Sequence, residues 1–389
     1  MSATDDQRVT WLELFYDLIY VTAFGELAKR LGDQLSWSAF GQFLVVFLAV
    51  WGAWVGNTLF AARYGNGSPG YQWGTLLQIL ALGAITLNIR GDITDVGAPF
   101  AVAYAMNRLV LAGMYAWVAR GSEEARPVAS PFAFAHAAAA ALWLVSAALP
   151  EAWQVGMWAV LLGVELVLPT IGGKRLAVRV LPHEQHLPER IGLLQIIVLG
   201  AVVTEIVLGA TKQEMGVAEQ FPAVLALIST VALWRMYFDN AGSAPVLAAH
   251  HQGRLGTLYA WLYAHLPLML SLTTLAVGFG HGIAEDAKHA HTAERMLVCL
   301  SLTVALWSMA LLRWTAASFF NPRHVDRSMT YWVLAGVVLL FVWRVTDTST
   351  AGLAVIAAIV TVVGALIGLY DPAARALQEK KDRLEEEMH

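Results

Sequence analysis

Apolar runs of about twenty residues, each bounded by charged, proline or glycine positions, follow one another along the chain. A helix needs about 20 residues to cross the hydrocarbon of a bilayer, so each run is a candidate span. Twelve segments are predicted, at 11–28, 38–62, 73–90, 98–119, 131–149, 152–170, 190–211, 217–238, 256–280, 295–317, 330–345 and 350–370. Only residues 346–349 separate the last two, which form either a tight hairpin or a re-entrant segment, so ten to twelve transmembrane helices are expected. The fold class is all-α and polytopic. The expected organisation is a cytoplasmic N-terminus (1–10), a first transmembrane half (11–170), a cytoplasmic linker (171–189), a second transmembrane half (190–370) and a charged cytoplasmic tail (371–389).

Orientation follows from the basic residues, because cytoplasmic loops keep an excess of Lys and Arg. With twelve spans, fifteen of the 25 fall on the side holding both termini, seven on the other, and Arg108, Arg190 and Arg235 lie within or at the edge of apolar runs. Both termini are therefore expected in the cytoplasm and the chain in the cell membrane. The start, MSATDDQR, lacks the basic region of a cleaved secretory signal, so the first apolar segment is expected to stay in the mature protein.

The halves also echo each other. Segment one carries Glu13 and then Phe24-Gly25, and segment seven carries Glu189 and then Leu199-Gly200 at a similar interval; segments two and eight each end with tryptophan near an Arg and an Asn. An offset of about 176 residues with six spans per half is the pattern of two parallel six-helix repeats.

Composition agrees with a membrane protein. Hydrophobic residues make up 58% and charged ones 14%, against roughly half and a quarter in soluble domains. That excludes an ordinary soluble enzyme. A net charge of −4 leaves no basic surplus for a phosphate backbone, so nucleic acid is not an expected partner. One cysteine, Cys299, excludes an internal disulfide and a Cys-based metal site, and reads as a small hydrophobe.

WLELFYDLIYVTAFGEL (11–27) and HLPERIGLLQIIVLG (186–200) resemble the two most distinctive stretches of the bacterial low-temperature-requirement A (LtrA) family, and the likeness extends over nearly the whole chain in length and span pattern. The resemblance implies a polytopic membrane protein and no particular chemistry. Family members usually follow the second stretch with Leu-Gly-Glu; this chain reads Leu199-Gly200-Ala201, and a carboxylate returns one turn later at Glu205.

Candidate chemistry lies in ionisable groups inside the spans, which cost about 2.5–3.5 kcal/mol each at a helix centre on insertion scales and so face the protein interior. Glu13 and Asp17 are i,i+4 with Tyr20 at i+7, placing two carboxylates and a phenol on one helical face. Such a pair can carry a proton; equally, Glu13 sits at the interface and Asp17 pairs with Arg108 or Arg190. Segment seven adds Glu189, Arg190 and Glu205, where Glu189 after Pro188 also suits a helix start. Segment eight adds Arg235, Tyr237 and Asp239, and segment two adds Trp54 and Asn57. Arginines near span ends also snorkel to headgroups. Glu165 is an intramembrane acid without a local partner, and His136 on an Ala-rich segment reads as a packing residue.

No metal or cofactor is expected. His183-Glu184-Gln185-His186 has histidines at i,i+3 rather than the i,i+4 of H-E-x-x-H, and neither a GxxxxGK[ST] nor a GxSxG motif occurs. The expected partners are membrane lipids and a small-molecule or lipid-like substrate. Two readings stay open. One is a proton-linked transporter or permease, with Glu13, Asp17 and Glu205 carrying protons and Tyr20, Trp54, Asn57, Arg108, Glu189, Arg190, Arg235, Tyr237 and Asp239 lining the solute path. The other is a membrane-embedded enzyme on a lipid or isoprenoid, such as a cyclase, with those acids as general acids in an aromatic-lined cavity.

Overall fold

The computed structural model describes residues 8–89, 93–176, 181–211, 220–239, 243–284, 292–318, 325–372 and 379. Among the described residues there are thirteen helices and no strand. They are α1 (Trp11–Asp33), α2 (Trp37–Tyr64), α3 (Pro69–Leu87), α4 (Ile93–Gly121), α5 (Arg126–Ala147), α6 (Glu151–Leu176), α7 (His186–Thr211), α8 (Phe221–Phe238), α9 (Ala244–Gln252), α10 (Leu255–Ala284), α11 (Thr292–Ala317), α12 (Arg327–Val345) and α13 (Thr350–Tyr370). Each of the twelve expected segments has a helix at its centre. Eight helices, α2, α5, α7, α8 and α10 to α13, are long and apolar enough to cross a membrane. The tail expected over 371–389 lies outside the described residues except at 371, 372 and 379, and residues 177–180 of the expected linker also lie outside them.

Local signals set the helix ends. Thr10 and Glu13 form a capping box at the start of α1, each side chain accepting from the other's backbone N–H. Ser68 caps α3 just before Pro69, Gly65 takes the positive φ (85°) that ends α2, and Ser349 caps α13. The last two segments are thus helices of 19 and 21 residues, joined by residues 346–349. α9 is an addition: nine residues are too few to register as a span.

The chain divides into two compact units, residues 1–197 and 198–389, with the division inside α7. In the first unit α4 packs along α3 and α5, α1 against α2 and α3, and α6 against α2, α4 and α5. α1 and α3 run the same way and α2 the opposite way. One end gathers the starts of α1, α3 and α7 with the end of α2: the Asn66 amide donates to the Arg8 carbonyl (2.9 Å) and the His183 N–H to the Ala62 carbonyl (2.7 Å). The opposite end joins the ends of α1 and α3, where Arg30 donates to the Ile89 carbonyl (2.8 Å).

Large apolar side chains point outward. Trp11 (88% exposed), Trp73 (70%) and Trp117 (68%) ring the first end of this unit, and Trp37 (72%) and Trp153 (70%) stand at helix starts belonging to the other end. In the second unit α11 packs between α10 and α12, α13 against α8 and α12, and α9 against α10 and α11. Arg313 on α11 reaches Asp326 (2.5 Å), the residue that caps α12, tying those two helices together. Cys299 is free and buried, as its surroundings in segment ten suggest.

Candidate functional site

At the first end of unit one, two acids face two bases. Glu13 and Asp17 lie one turn apart on α1, and His186 and Arg190 lie one turn apart on α7, so each pair shares a helical face. His186 Nε2 is 3.0 Å from Glu13 Oε1, Arg190 Nη1 is 2.9 Å from the same oxygen, and Arg190 Nη2 donates to Asp17 Oδ1 at 2.6 Å. The Glu13–His186 and Asp17–Arg190 pairs have the same sequence separation of 173 residues, which requires the two helix starts to run parallel. All four side chains are buried. Of the two partners considered for Asp17 from the sequence, the structure selects Arg190.

The two carboxylates differ in how fully they are held. Glu13 Oε1 also accepts from the Tyr71 hydroxyl (3.0 Å), while Oε2 accepts from the Thr10 N–H (2.9 Å), the Thr10 hydroxyl (3.0 Å) and the Asn66 amide (2.9 Å). Asp17 Oδ1 accepts from the Trp54 indole at 2.8 Å in addition to Arg190. Asp17 Oδ2 has no hydrogen-bond partner among the described residues, and neither do Arg190 Nε and His186 Nδ1. Buried polar atoms are nearly always partnered, so each of these three is hydrogen-bonding capacity left open. The guanidinium is flanked by the rings of Trp54 (5.7 Å) and Tyr16 (5.9 Å).

Polar groups continue inward from this cluster. The Tyr16 and Tyr20 hydroxyls are 2.9 Å apart, and Tyr16 also lies within hydrogen-bond distance of Gln78 Oε1 (3.1 Å). Asn57 donates to the Thr75 hydroxyl (3.3 Å) beside Tyr71. Halfway along α4 and α6 stands a second ion pair: Arg108 Nη1 is 3.5 Å from Glu165 Oε2, which accepts from the Tyr104 hydroxyl (3.2 Å), and Glu165 Oε1 accepts from the Trp143 indole (3.0 Å). Glu165, for which the sequence offers no local partner, thus has three on other helices.

The other expected site residues lie elsewhere. Glu189 is exposed in the first turn of α7, where an acid complements the helix dipole. Arg235 and Asp239 form a solvent-side i,i+4 pair at 2.7 Å, while Tyr237, between them in sequence, points inward to His265 Nε2 (3.1 Å). These three therefore do not act as one group. Glu205 belongs to the second unit, half-buried close to Gly280 of α10. His136 stacks on Tyr115 (ring centroids 5.5 Å apart).

The H-E-x-H stretch has a structural role. His183 Nδ1 accepts from the Gln185 and His186 N–H groups (both 3.3 Å) and so caps α7, and His186 turns to Glu13. Among the described residues no cluster of three His, Cys, Asp or Glu side chains is arranged for a metal. Sequence reasoning missed His186, Tyr71 and Asn66 as partners of Glu13. The one available signal was the matched i,i+4 spacing of His186 and Arg190 to that of Glu13 and Asp17.

Comparison with known proteins adds a family and one relative. Residues 8–367 match the family model described as bacterial low temperature requirement A protein (LtrA). An uncharacterized protein of Rhizobium meliloti (strain 1021) is similar, at 25% identity over 358 residues, covering 87% of this chain and 82% of the relative. No solved structure matches the chain.

Proposed function

The chain belongs to the bacterial low temperature requirement A (LtrA) family, and we propose that it is a proton-linked transporter of a small or amphipathic solute in the cell membrane. The observation that carries this reading is the half-filled carboxylate of Asp17: buried, charged on one side by Arg190, and unpartnered at Oδ2. Glu13 is saturated by its donors and acts as the anchor that fixes His186 and Arg190, whereas Asp17 keeps an oxygen on which a proton can sit. Counting charges, Glu13, Asp17 and Arg190 sum to −1 with Asp17 ionised and to zero with a proton on it, and a neutral assembly costs less to carry through hydrocarbon than a charged one. The expected partners remain membrane lipids and the solute.

Twelve spans arranged as two six-helix repeats, with both termini cytoplasmic, are part of the proposal. Two features support it. The aromatic residues at both ends of unit one suit headgroup belts, and they stand on α1, α3, α4 and α6 as well as on the more apolar α2. Matching α2, α3, α4, α5 and α6 to α8, α10, α11, α12 and α13 in that order, the contacts of α2 with α3 and α6, of α4 with α3, α5 and α6, and of α5 with α6 recur as those of α8 with α10 and α13, of α11 with α10, α12 and α13, and of α12 with α13.

The test is mass- and retention-resolved profiling of cells and medium with no protein, the wild type and Asp17→Asn, with equal abundance in the membrane fraction. A solute whose partition between cells and medium shifts with the wild type and not with Asp17→Asn supports the proposal. An unchanged partition with wild type, or a shift that Asp17→Asn retains, refutes it. A new chemical species dependent on Asp17 would instead make the protein an enzyme.

A further inference from the structure

Arg108 holds a charge in the middle of α4 with only part of its donor set in use. Its side chain is buried, its Nη1 faces Glu165, and its Nε and Nη2 have no hydrogen-bond partner among the described residues. Those two nitrogens form the side edge of the guanidinium, where two N–H bonds point the same way and match the two oxygens of a carboxylate. The Tyr104 ring lies 4.6 Å beneath the guanidinium carbon and holds its plane. The neighbouring Asn107 is fully buried, and neither end of its amide has a partner among the described residues. Glycine at position 56 lets α2 lie close against Arg108, since a Cβ there would be 3.4 Å from Nη1, the nitrogen that faces Glu165, and 2.7 Å from a Leu111 methyl. A buried fork left empty is unfavourable by itself, because donors removed from water have lost their hydration with nothing in return.

We propose that the Nε–Nη2 edge of Arg108 receives the carboxylate of a small organic acid, which is the transported solute. The proposal rests on the transport reading above and names the substrate class. Charge favours a monoanion: Arg108 and Glu165 sum to zero, a bound carboxylate adds one negative charge, and one proton taken up by Asp17 returns the total to its unloaded value. A phosphate dianion would add a further negative charge that this proton does not offset, and uncompensated charge is costly in a low-dielectric interior.

Equilibrium binding to the purified full-length chain tests this separately from flux. The probes are straight-chain monocarboxylates from acetate to decanoate, with benzoate and phenylacetate, each compared with its primary amide, and inorganic phosphate as the competing anion source. The expected result is at least one carboxylate bound tenfold or more tightly than its amide, not displaced by phosphate, and weakened tenfold or more by Arg108→Lys, which keeps the charge and removes the fork. The paired variant Arg108→Gln with Glu165→Gln leaves no buried unpaired charge, so it is expected to fold and to lose the same binding. The proposal is overturned by no binding across the panel, by equal binding of acid and amide, by displacement with phosphate, or by carboxylate binding that either variant retains. Carboxylate binding without flux would remove the transport reading and leave the site; flux without carboxylate binding would do the reverse.

Discussion

Asp17 gives one oxygen to Arg190 at 2.6 Å and leaves the other without a hydrogen-bond partner among the described residues. Four residues earlier on the same face, Glu13 has both oxygens filled. Two acids that look equivalent in sequence are thus separated into an anchor and an open group by what α2, α3, α7 and the 65–68 turn bring to them. Arg190 is the group they share, and its removal should affect both.

Arg190→Ala leaves two buried carboxylates beside a single histidine. Removing one partner of a buried ion pair costs about 3–5 kcal/mol, because the remaining charge is uncompensated. Thermal unfolding of the purified chain should show that loss, and neutralising the acids in the same background (Glu13→Gln, Asp17→Asn, Arg190→Ala) should recover part of it. A single variant as stable as wild type would show that the charges are solvated.

Trp54→Phe keeps an aromatic ring beside Arg190 and deletes the indole donor to Asp17. A hydrogen bond to a charged group is worth about 1.5–3 kcal/mol, and that loss is expected in unfolding measurements. In a double-mutant cycle with Asp17→Ala the two losses should be less than additive, since both remove the same contact. Strict additivity would show that the 2.8 Å contact contributes nothing.

Asp326 performs two tasks that substitution can separate: it caps α12 through the Met329 N–H (2.9 Å) and pairs with Arg313 (2.5 Å). Asparagine also caps helices well, so Asp326→Asn should lose only the ion pair, whereas Asp326→Ala loses an additional ~1 kcal/mol. Equal stability of the two variants would remove the cap from the account.

The helices were legible in the sequence and most of the site was not, for physical reasons tied to particular residues. Span-length apolar runs record the bilayer, so the centre of every expected segment is helical. α1 and α4 fall short of the apolarity of a plain span because they carry the site's own charges: Glu13 and Asp17 on one, Arg108 on the other. Spacing along one helix exposed the Glu13–Asp17–Tyr20 face and left Arg190 among the candidate partners. It could not expose the pairing of Glu165 with Arg108, Tyr104 and Trp143, which come from two other helices. Nor could it place His186, read as part of a loop, against an acid 173 residues away. Arg235, Tyr237 and Asp239 show the converse error: closeness in sequence put them in one group, and helical geometry sends Tyr237 inward and the other two outward.

In the second unit Gly209 of α7 and Gly280 of α10 set how closely those helices approach. A Cβ on Gly209 would run into the Gly280 carbonyl oxygen, and one on Gly280 would lie 3.0 Å from the Glu205 carbonyl and 3.3 Å from its carboxylate. Small residues at such crossings allow backbones to touch in a membrane, where dispersion and weak polar contacts replace the hydrophobic drive between helices. Gly209→Ala forces backbone to move, and overpacking of this kind costs about 1–3 kcal/mol. Gly200, on the same helix, has nothing within 4 Å of its added Cβ, so Gly200→Ala should be neutral or gain up to about 1 kcal/mol from helix propensity. In units of this size each kcal/mol moves the unfolding midpoint by about 2–4 °C, so the two variants should shift it in opposite directions or differ by several degrees. Equal midpoints would mean that α7 and α10 do not meet through these glycines, and Glu205 would then lack the close backbone that holds it half-buried.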